Sequence, residues 1–87
     1  MTFSNKHLVA SITKAPTAEL RVLLTTWHGS HKVELRDFTA TIPNIFFPTS
    51  AGVSLDVEQL HLLIAALRKA ESVAISRGML SKGRAVA

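Results

Sequence analysis

Alternating hydrophobic and polar positions predict a β-hairpin in the first half of the chain. Residues 19–27 (ELRVLLTTW) and 31–38 (HKVELRDF) each alternate with a period of two, so successive side chains lie on opposite faces of a strand. The two runs are separated by a short segment containing Gly29, which can adopt the positive φ of a tight turn. Antiparallel pairing of the two runs is therefore the expected arrangement.

The predicted hairpin has one polar face and one apolar face. The polar face carries Arg21, Trp27, Lys32 and Arg36, and the apolar face carries Val22, Leu24, Val33 and Leu35. Cationic side chains beside an aromatic ring are typical of surfaces that bind single-stranded nucleic acid, because the cations meet phosphates and the ring stacks on bases. Trp27 has a second interpretation, in which it covers one end of the core. Arg36 likewise has one as the ion-pair partner of Glu34 or Asp37.

The segments flanking the hairpin predict short strands or edge strands. Within residues 1–18, the run HLVASI is strand-like and Pro16 interrupts the pattern. Residues 39–55 contain Pro43 and Pro48, which cannot donate to a sheet ladder, so short or edge strands are expected at NIFF and GVSL.

From Asp56 onward the hydrophobic period becomes helical. Asp56 is the expected N-cap, and Gln59 is placed to close a capping box with it. The pattern continues to about Arg77, and Gly78 is a typical C-terminal stop. The chain is thus expected to comprise an N-terminal segment (1–18; an extra strand or a flexible arm), a domain (19–77) and a basic flexible tail (78–87).

The predicted helix is apolar over a wider arc than one sheet requires. Its main apolar arc covers about 120°, and small or aliphatic residues extend it to about 220°, whereas packing on one sheet needs about 100°. A partner subunit, the N-terminal segment or the long loop could cover the excess, and a two-fold helix contact is favoured. The expected dimer interface consists of Leu60, Leu63, Ile64 and Leu67. Glu71 falls inside this arc and is expected either at the edge of the interface or paired with a basic residue.

Length and composition favour a small, oligomeric, soluble intracellular protein. At 87 residues a single domain buries only about 60–65% of the surface that its unfolded chain exposes, and without cysteine it has no disulfide to compensate. The net charge of +4 favours an anionic partner and is also common in soluble proteins. A membrane span and a secretory signal are not expected, because the sequence lacks both patterns.

Catalytic and metal-binding motifs are not recognisable in the sequence. It has no nucleophile elbow, phosphate-binding glycine loop or His-Glu-x-x-His motif, so we expect no enzyme, no catalytic residue and no cofactor. His28 and His31 have His-x-x-His spacing, but two ligands form an incomplete metal site, which His7, His61 or a carboxylate would have to complete. We therefore expect no metal.

The order of these motifs resembles the transcriptional positive cofactor 4 family, whose members are single-stranded-DNA-binding coactivators and their bacterial and phage relatives. The strand VELRDF and the helix start GVSLDVEQLHLL carry the resemblance, which covers residues from about 20 to 67. It implies an α+β fold: a four-stranded antiparallel sheet followed by one long C-terminal helix, dimerising through that helix. We expect a relative of the bacterial or phage type.

Several site residues follow from the resemblance. Trp27 stands at the position of a base-stacking aromatic, His28 at that of a basic residue, and Arg36 at that of an arginine that contacts the nucleic acid. The chain departs from the family pattern at Thr39, where a second aromatic is common. It departs also at Ser30, where lysine is common, and in the uncharged loop FPTSAG.

The function that the resemblance implies is a homodimeric module that binds single-stranded DNA in transcription regulation or DNA maintenance. RNA and the transcription machinery are further candidate partners. The protein would lie with the nucleoid in a bacterial cytoplasm, or in a eukaryotic nucleus. The alternative is a dimeric protein-interaction module of the same fold with weak or no nucleic-acid binding.

Overall fold

A computed structural model describes residues 5–81 of the chain as a four-stranded antiparallel sheet followed by a helix, which confirms the predicted α+β class. The elements are β1 (Asn5–Ala15), β2 (Ala18–Trp27), β3 (Ser30–Ile42), β4 (Ile45–Asp56), a single 3-10 turn (Val57–Gln59) and α1 (Leu60–Ser76). The strands lie in sequence order, so each pairs with its neighbour through a hairpin.

Each of the three hairpins closes through two residues, and two of the turns contain positive φ angles. His28 (φ 51°) and Gly29 (φ 80°) join β2 to β3, and two consecutive positive φ angles are typical of a type I′ turn. Asn44 (φ 66°) follows Pro43 in the turn between β3 and β4, as in a type II turn. These turns fix the register of the strands on either side.

The first strand is longer than the HLVASI segment indicated. β1 pairs antiparallel with β2 from Asn5 opposite Thr26 to Ala15 opposite Ala18, with irregularities near Val9 and Lys14. Residues 5–15 therefore form one edge of the sheet. The flexible-arm alternative for residues 1–18 does not hold for these eleven, and residues 1–4 lie outside the described part.

Of the short or edge strands expected at NIFF and GVSL, the structure contains one long edge strand, because β4 is continuous from Ile45 to Asp56. β4 pairs with β3 alone and forms the second edge of the sheet, where Pro48 is tolerated because an edge strand leaves some of its N–H groups unpaired. A register shift between Arg36 and Phe38 absorbs the extra residues of β4 opposite β3.

Gly52 lies opposite Arg36 beside this register shift, where the two strands approach closely. A Cβ atom at position 52 would lie 2.6 Å from the backbone oxygen of Leu35 and 3.0 Å from Cζ of Arg36. The missing side chain therefore leaves room for both the β3 backbone and the guanidinium group.

Gly52→Ala is expected to lower the free energy of unfolding by about 1–3 kcal/mol, because the added methyl group overpacks this contact. Thermal unfolding would show a decrease in Tm of roughly 4–8 °C per kcal/mol. Ser54→Ala, two residues along the same strand, is the control and should change stability by less than about 0.5 kcal/mol. An unchanged Tm for Gly52→Ala would show that the strands can separate there without loss.

The helix begins later than predicted, and the capping box does not form. Gln59 is the N-cap of α1 and makes no side-chain capping bond, while the carboxylate of Asp56 accepts a hydrogen bond from Nζ of Lys32 at 2.9 Å. The predicted stop at Gly78 is confirmed. Gly78 has φ 72° and donates its N–H to the carbonyl oxygen of Ile75, and the next N–H donates to Ala74, as in a Schellman motif.

The chain divides into two compact units, the sheet up to Val57 and the helical part from Glu58. In the sheet, the buried apolar side chains are few, with Val33 only 2% exposed and Leu23 and Ala40 close to fully buried. No residue of α1 is buried within the chain. Of the described helices, none has the length and apolar character that crossing a bilayer requires.

Candidate nucleic-acid interface

The strand register brings the predicted polar residues onto one face of the sheet. Arg21 and Arg36 are direct partners across β2 and β3, and Lys32 lies four residues before Arg36, opposite Thr25. Trp27 follows on the same side at the end of β2, opposite Ser30. We call this side of the sheet the cationic face, defined by Lys6, Arg21, Trp27, Lys32, Glu34, Arg36 and Phe38.

The indole of Trp27 lies at the hairpin tip and is 48% exposed, so Trp27 is not a core residue. Its ring contacts the imidazole of His28 edge to face, with 4.6 Å between centroids. The positive φ of His28 turns the chain immediately after the indole. The indole therefore projects from the end of the cationic face with exposed surface on which a planar group can stack.

Each lysine or arginine of the described part of the sheet forms an ion pair. On the cationic face, Lys6 and Arg36 both contact Glu34, Arg21 contacts Glu19 at 2.6 Å, and Lys32 contacts Asp56 at 2.9 Å; on the opposite face Lys14 contacts Asp37 at 2.9 Å. The alternative interpretation of Arg36 as a partner of Glu34 is thus what the structure contains. A phosphate that binds these cations must compete with carboxylates.

Glu34 occupies the centre of this network and is only 7% exposed. One carboxylate oxygen accepts a hydrogen bond from Nζ of Lys6 at 3.3 Å, and the other accepts a short one from Nε of Arg36. Burial raises the pKa of the Glu34 carboxyl, but the hydrogen bonds and charges of Arg36 and Lys6 outweigh it and hold the pKa below its usual value. Glu34 is therefore ionised at neutral pH and fixes the guanidinium of Arg36, which also donates to the Thr49 carbonyl oxygen at 3.0 Å.

Charge balance distinguishes the two units of the chain. Residues 1–57 contain five lysines and arginines and four carboxylates, whereas residues 58–87 contain five and two. Most of the net charge of +4 therefore belongs to the second part, which includes Arg68, Lys69 and Arg77. The overall charge does not by itself make the sheet strongly cationic.

An arginine–aromatic cluster lies at the end of the cationic face away from Trp27. The guanidinium carbon of Arg21 lies over the ring of Phe38, 4.3 Å from its centroid, and 5.5 Å from the centroid of the Phe46 ring. Both rings are half-buried. Sequence reasoning missed Phe46, because its position on this face depends on the register of β4; its only signal was the aromatic pair in NIFF.

The histidines of the hairpin tip are engaged with neighbouring side chains. His28 contacts Trp27, and Nδ1 of His31 lies 3.1 Å from the hydroxyl of Thr26. Within residues 5–81, no group of three histidine or carboxylate side chains is arranged to hold a metal ion.

The four residues of the expected dimer interface differ in exposure. Leu60 and Leu63 are half-buried, whereas Ile64 and Leu67 are 43% and 57% exposed. Leu62, on another side of the helix, is 69% exposed. The helix therefore presents a large apolar surface in a single chain.

Solved structures of known proteins share this fold. A PC4 homologue from Burkholderia pseudomallei, in tetragonal and orthorhombic crystal forms, matches the chain with TM-scores of 0.72 and 0.73. The sequence identity is 25% in both cases, and the match covers 77% of this chain and 98% and 90% of those chains. PC4 abbreviates positive cofactor 4, so this neighbour confirms the resemblance indicated by the sequence motifs.

A phage protein has the same architecture. The bacteriophage T5 homologue of the eukaryotic transcription coactivator PC4, which is implicated in recombination-dependent DNA replication, has a TM-score of 0.62 and 18% identity, covering 84% of this chain and 86% of that chain. This match shows the common fold. No protein-family model matches the chain, and no curated protein matches it.

Proposed function

We propose that this structural relative of bacterial and phage PC4 homologues is a homodimeric module that binds single-stranded nucleic acid, with DNA as the preferred strand, on its cationic face. The observation that carries the proposal is an exposed indole at the end of a sheet face that also holds four ion-paired cations, Lys6, Arg21, Lys32 and Arg36. Aromatic stacking combined with cations along a groove is the usual chemistry of single-strand recognition.

The ion pairs of the cationic face shape how such binding would work. The acidic partners hold the arginine side chains in fixed positions, so less side-chain entropy is lost when a phosphate approaches. The same carboxylates compete with the phosphates and lower the affinity. Binding of moderate strength, dominated by stacking, is therefore the form of the proposal that this surface supports.

The dimer forms part of the proposal. α1 has no buried residue and needs a cover for its apolar surface, because most of the stability of a protein helix comes from packing of its apolar face. A second copy of α1, joined through Leu60, Leu63, Ile64 and Leu67, provides that cover and doubles the nucleic-acid surface. A regulatory role in transcription or DNA maintenance, with the transcription machinery as a further partner, fits a bacterial nucleoid or a eukaryotic nucleus.

Fluorescence anisotropy with a labelled oligothymidylate tests the proposal. If about four phosphates are contacted, log K should fall with log[salt] at a slope near −2.8, because each phosphate on a single strand contributes about −0.7. Trp27→Ala should weaken binding by about 1–3 kcal/mol, or roughly 5- to 150-fold, with the slope preserved. Arg36→Ala should weaken binding and make the slope shallower by about 0.7.

Val53→Ala provides the control, since Val53 is exposed and lies on the opposite face of the sheet. It should bind as the wild type does. Absence of oligonucleotide binding at low salt would refute the proposed function. Equal losses for Trp27→Ala and Val53→Ala would show that binding takes place elsewhere.

A second candidate function is a dimeric protein-interaction module of the same fold that binds nucleic acid weakly or not at all. The saturation of the sheet cations by carboxylates favours this alternative. The same titration separates the two, since the interaction module predicts affinity no greater than that of an unrelated protein of equal charge.

A further inference from the structure

We propose that Phe38, Arg21 and Phe46 form a second base-stacking site, so that one single strand is held at both ends of the cationic face. This inference rests on the proposed function and specifies how the bound strand is positioned. We call the three residues the arginine–aromatic cluster. It would bind the exposed face of a nucleobase, in the same way as Trp27 at the other end.

The cluster is a preorganised stacking surface. The guanidinium of Arg21 lies over the Phe38 ring and near the Phe46 ring, and its Nε donates to the Glu19 carboxylate at 2.6 Å. These contacts fix a planar cation beside two aromatic rings. Aromatic faces and guanidinium planes are both groups on which unpaired bases stack.

Phe38 and Phe46 lie on the charged side of the sheet. Phe38 pairs with Glu19 across β2 and β3 on the same side as Arg21, and Phe46 reaches this side opposite Ala40. Phe47, the next residue, pairs with Thr39 and projects from the other side. Phe46 and Phe47 are thus adjacent aromatic residues on opposite faces, which makes them a matched pair.

The distance between the two stacking positions suits a short single strand. Arg21 and Trp27 are six residues apart on β2, which at about 3.4 Å per residue gives roughly 20 Å. Arg36 and Lys32 lie on the neighbouring strand between the two ends. An oligonucleotide could therefore stack at both ends while its phosphates pass these cations, whereas a dinucleotide could occupy one end only.

Phe46→Leu tests the cluster, since leucine keeps apolar contact with Arg21 and removes the aromatic face. With an oligothymidylate of about 16 nucleotides we expect affinity to fall about tenfold, while the affinity for a thymidine dinucleotide stays the same. Quenching of Trp27 fluorescence at saturation should persist, because Trp27 is the sole tryptophan and reports on its own end of the face. Phe46→Tyr should retain wild-type affinity.

Phe47→Leu is the control and should bind both ligands as the wild type does. Equal affinities of the Phe46→Leu and Phe47→Leu variants for the long oligonucleotide would overturn the second site while leaving the proposed function intact. If the wild-type protein binds neither ligand, the proposed function itself is refuted. Circular dichroism of each variant checks that the sheet is retained. If Phe46→Leu does not fold, the cluster is tested with Arg21→Lys, which keeps the positive charge and removes the planar guanidinium. A tenfold loss of affinity for the long oligonucleotide in Arg21→Lys would support the cluster, and wild-type affinity would overturn it.

Discussion

Leu67→Asp is expected to convert the protein from a dimer into a monomer. Leu67 is 57% exposed in the single chain and lies at the middle of the apolar arc of α1, so in the proposed dimer its side chain would become buried against the partner helix. The substitution removes about 1.5–3 kcal/mol of apolar burial and places an unpaired charge in the interface. A total of about 4 kcal/mol would raise the dimer dissociation constant roughly 1,000-fold.

Sedimentation or light scattering at micromolar concentration measures this change directly. Ser72→Asp is the matched control, because Ser72 is exposed on the same helix, lies about 120° from Leu60 and outside the apolar arc, and gains the same charge. The control should remain dimeric. A dimeric Leu67→Asp variant, or a wild-type protein that is monomeric at this concentration, would contradict a dimer built on this arc.

The hairpin of β2 and β3 could be predicted from sequence because local information fixes it. Two-residue alternation assigns each side chain to a face, and a one-residue error in register would therefore exchange the two faces. Gly29 supplies a positive φ in the turn, which helps to set that register. The sequence predicted that Arg21 and Arg36 share a face, and the two-residue turn of the structure places them directly opposite each other. No long-range information was required.

β4 and the start of the helix could not be predicted in the same way, because distant residues determine them. Pro48 allowed either a short strand or an edge strand, and the sequence alone does not show that β4 continues through it at the edge of the sheet. Asp56 has the properties of an N-cap, but its carboxylate accepts a hydrogen bond from Lys32, 24 residues away. At the start of the helix, a cross-strand pair therefore overrode the local preference for capping.

The ion pairs of the cationic face were equally inaccessible to sequence analysis. A count of charges gives +4, but the effect of each cation depends on its neighbours across the sheet. Lys6 and Glu34 are 28 residues apart and meet only because β1 joins the sheet at one particular register. The sequence therefore identified the residue types of the candidate site and overestimated how freely its cations can bind phosphate.

Glu34→Gln is expected to strengthen nucleic-acid binding while weakening the fold. The neutral amide competes less for Lys6 and Arg36, so a phosphate no longer has to displace a carboxylate from these two cations. At moderate salt we expect affinity for an oligothymidylate to rise about tenfold, equivalent to about 1.4 kcal/mol. The slope of log K against log[salt] should stay near the wild-type value of about −2.8, because the number of phosphates contacted does not change.

The same substitution should lower the free energy of unfolding at neutral pH by about 1–3 kcal/mol, because a buried carboxylate loses charge-assisted hydrogen bonds. The pKa of Glu34 is lowered in the folded state, so its contribution to stability is present above the unfolded-state pKa and is lost as pH falls through the folded-state pKa. Unfolding titrations from neutral to acidic pH should therefore show a smaller loss of stability for Glu34→Gln than for the wild type.

Asp37→Asn separates this local effect from the change in net charge. Each substitution removes one negative charge and so raises the net charge of the chain by one. Asp37, however, pairs with Lys14 at 2.9 Å on the face opposite the cationic face. If nucleic acid binds where we propose, Glu34→Gln should increase affinity much more than Asp37→Asn. Equal increases would show that overall charge governs binding, and a loss of affinity in Glu34→Gln would show that positioning of Arg36 by Glu34 outweighs the competition between carboxylate and phosphate.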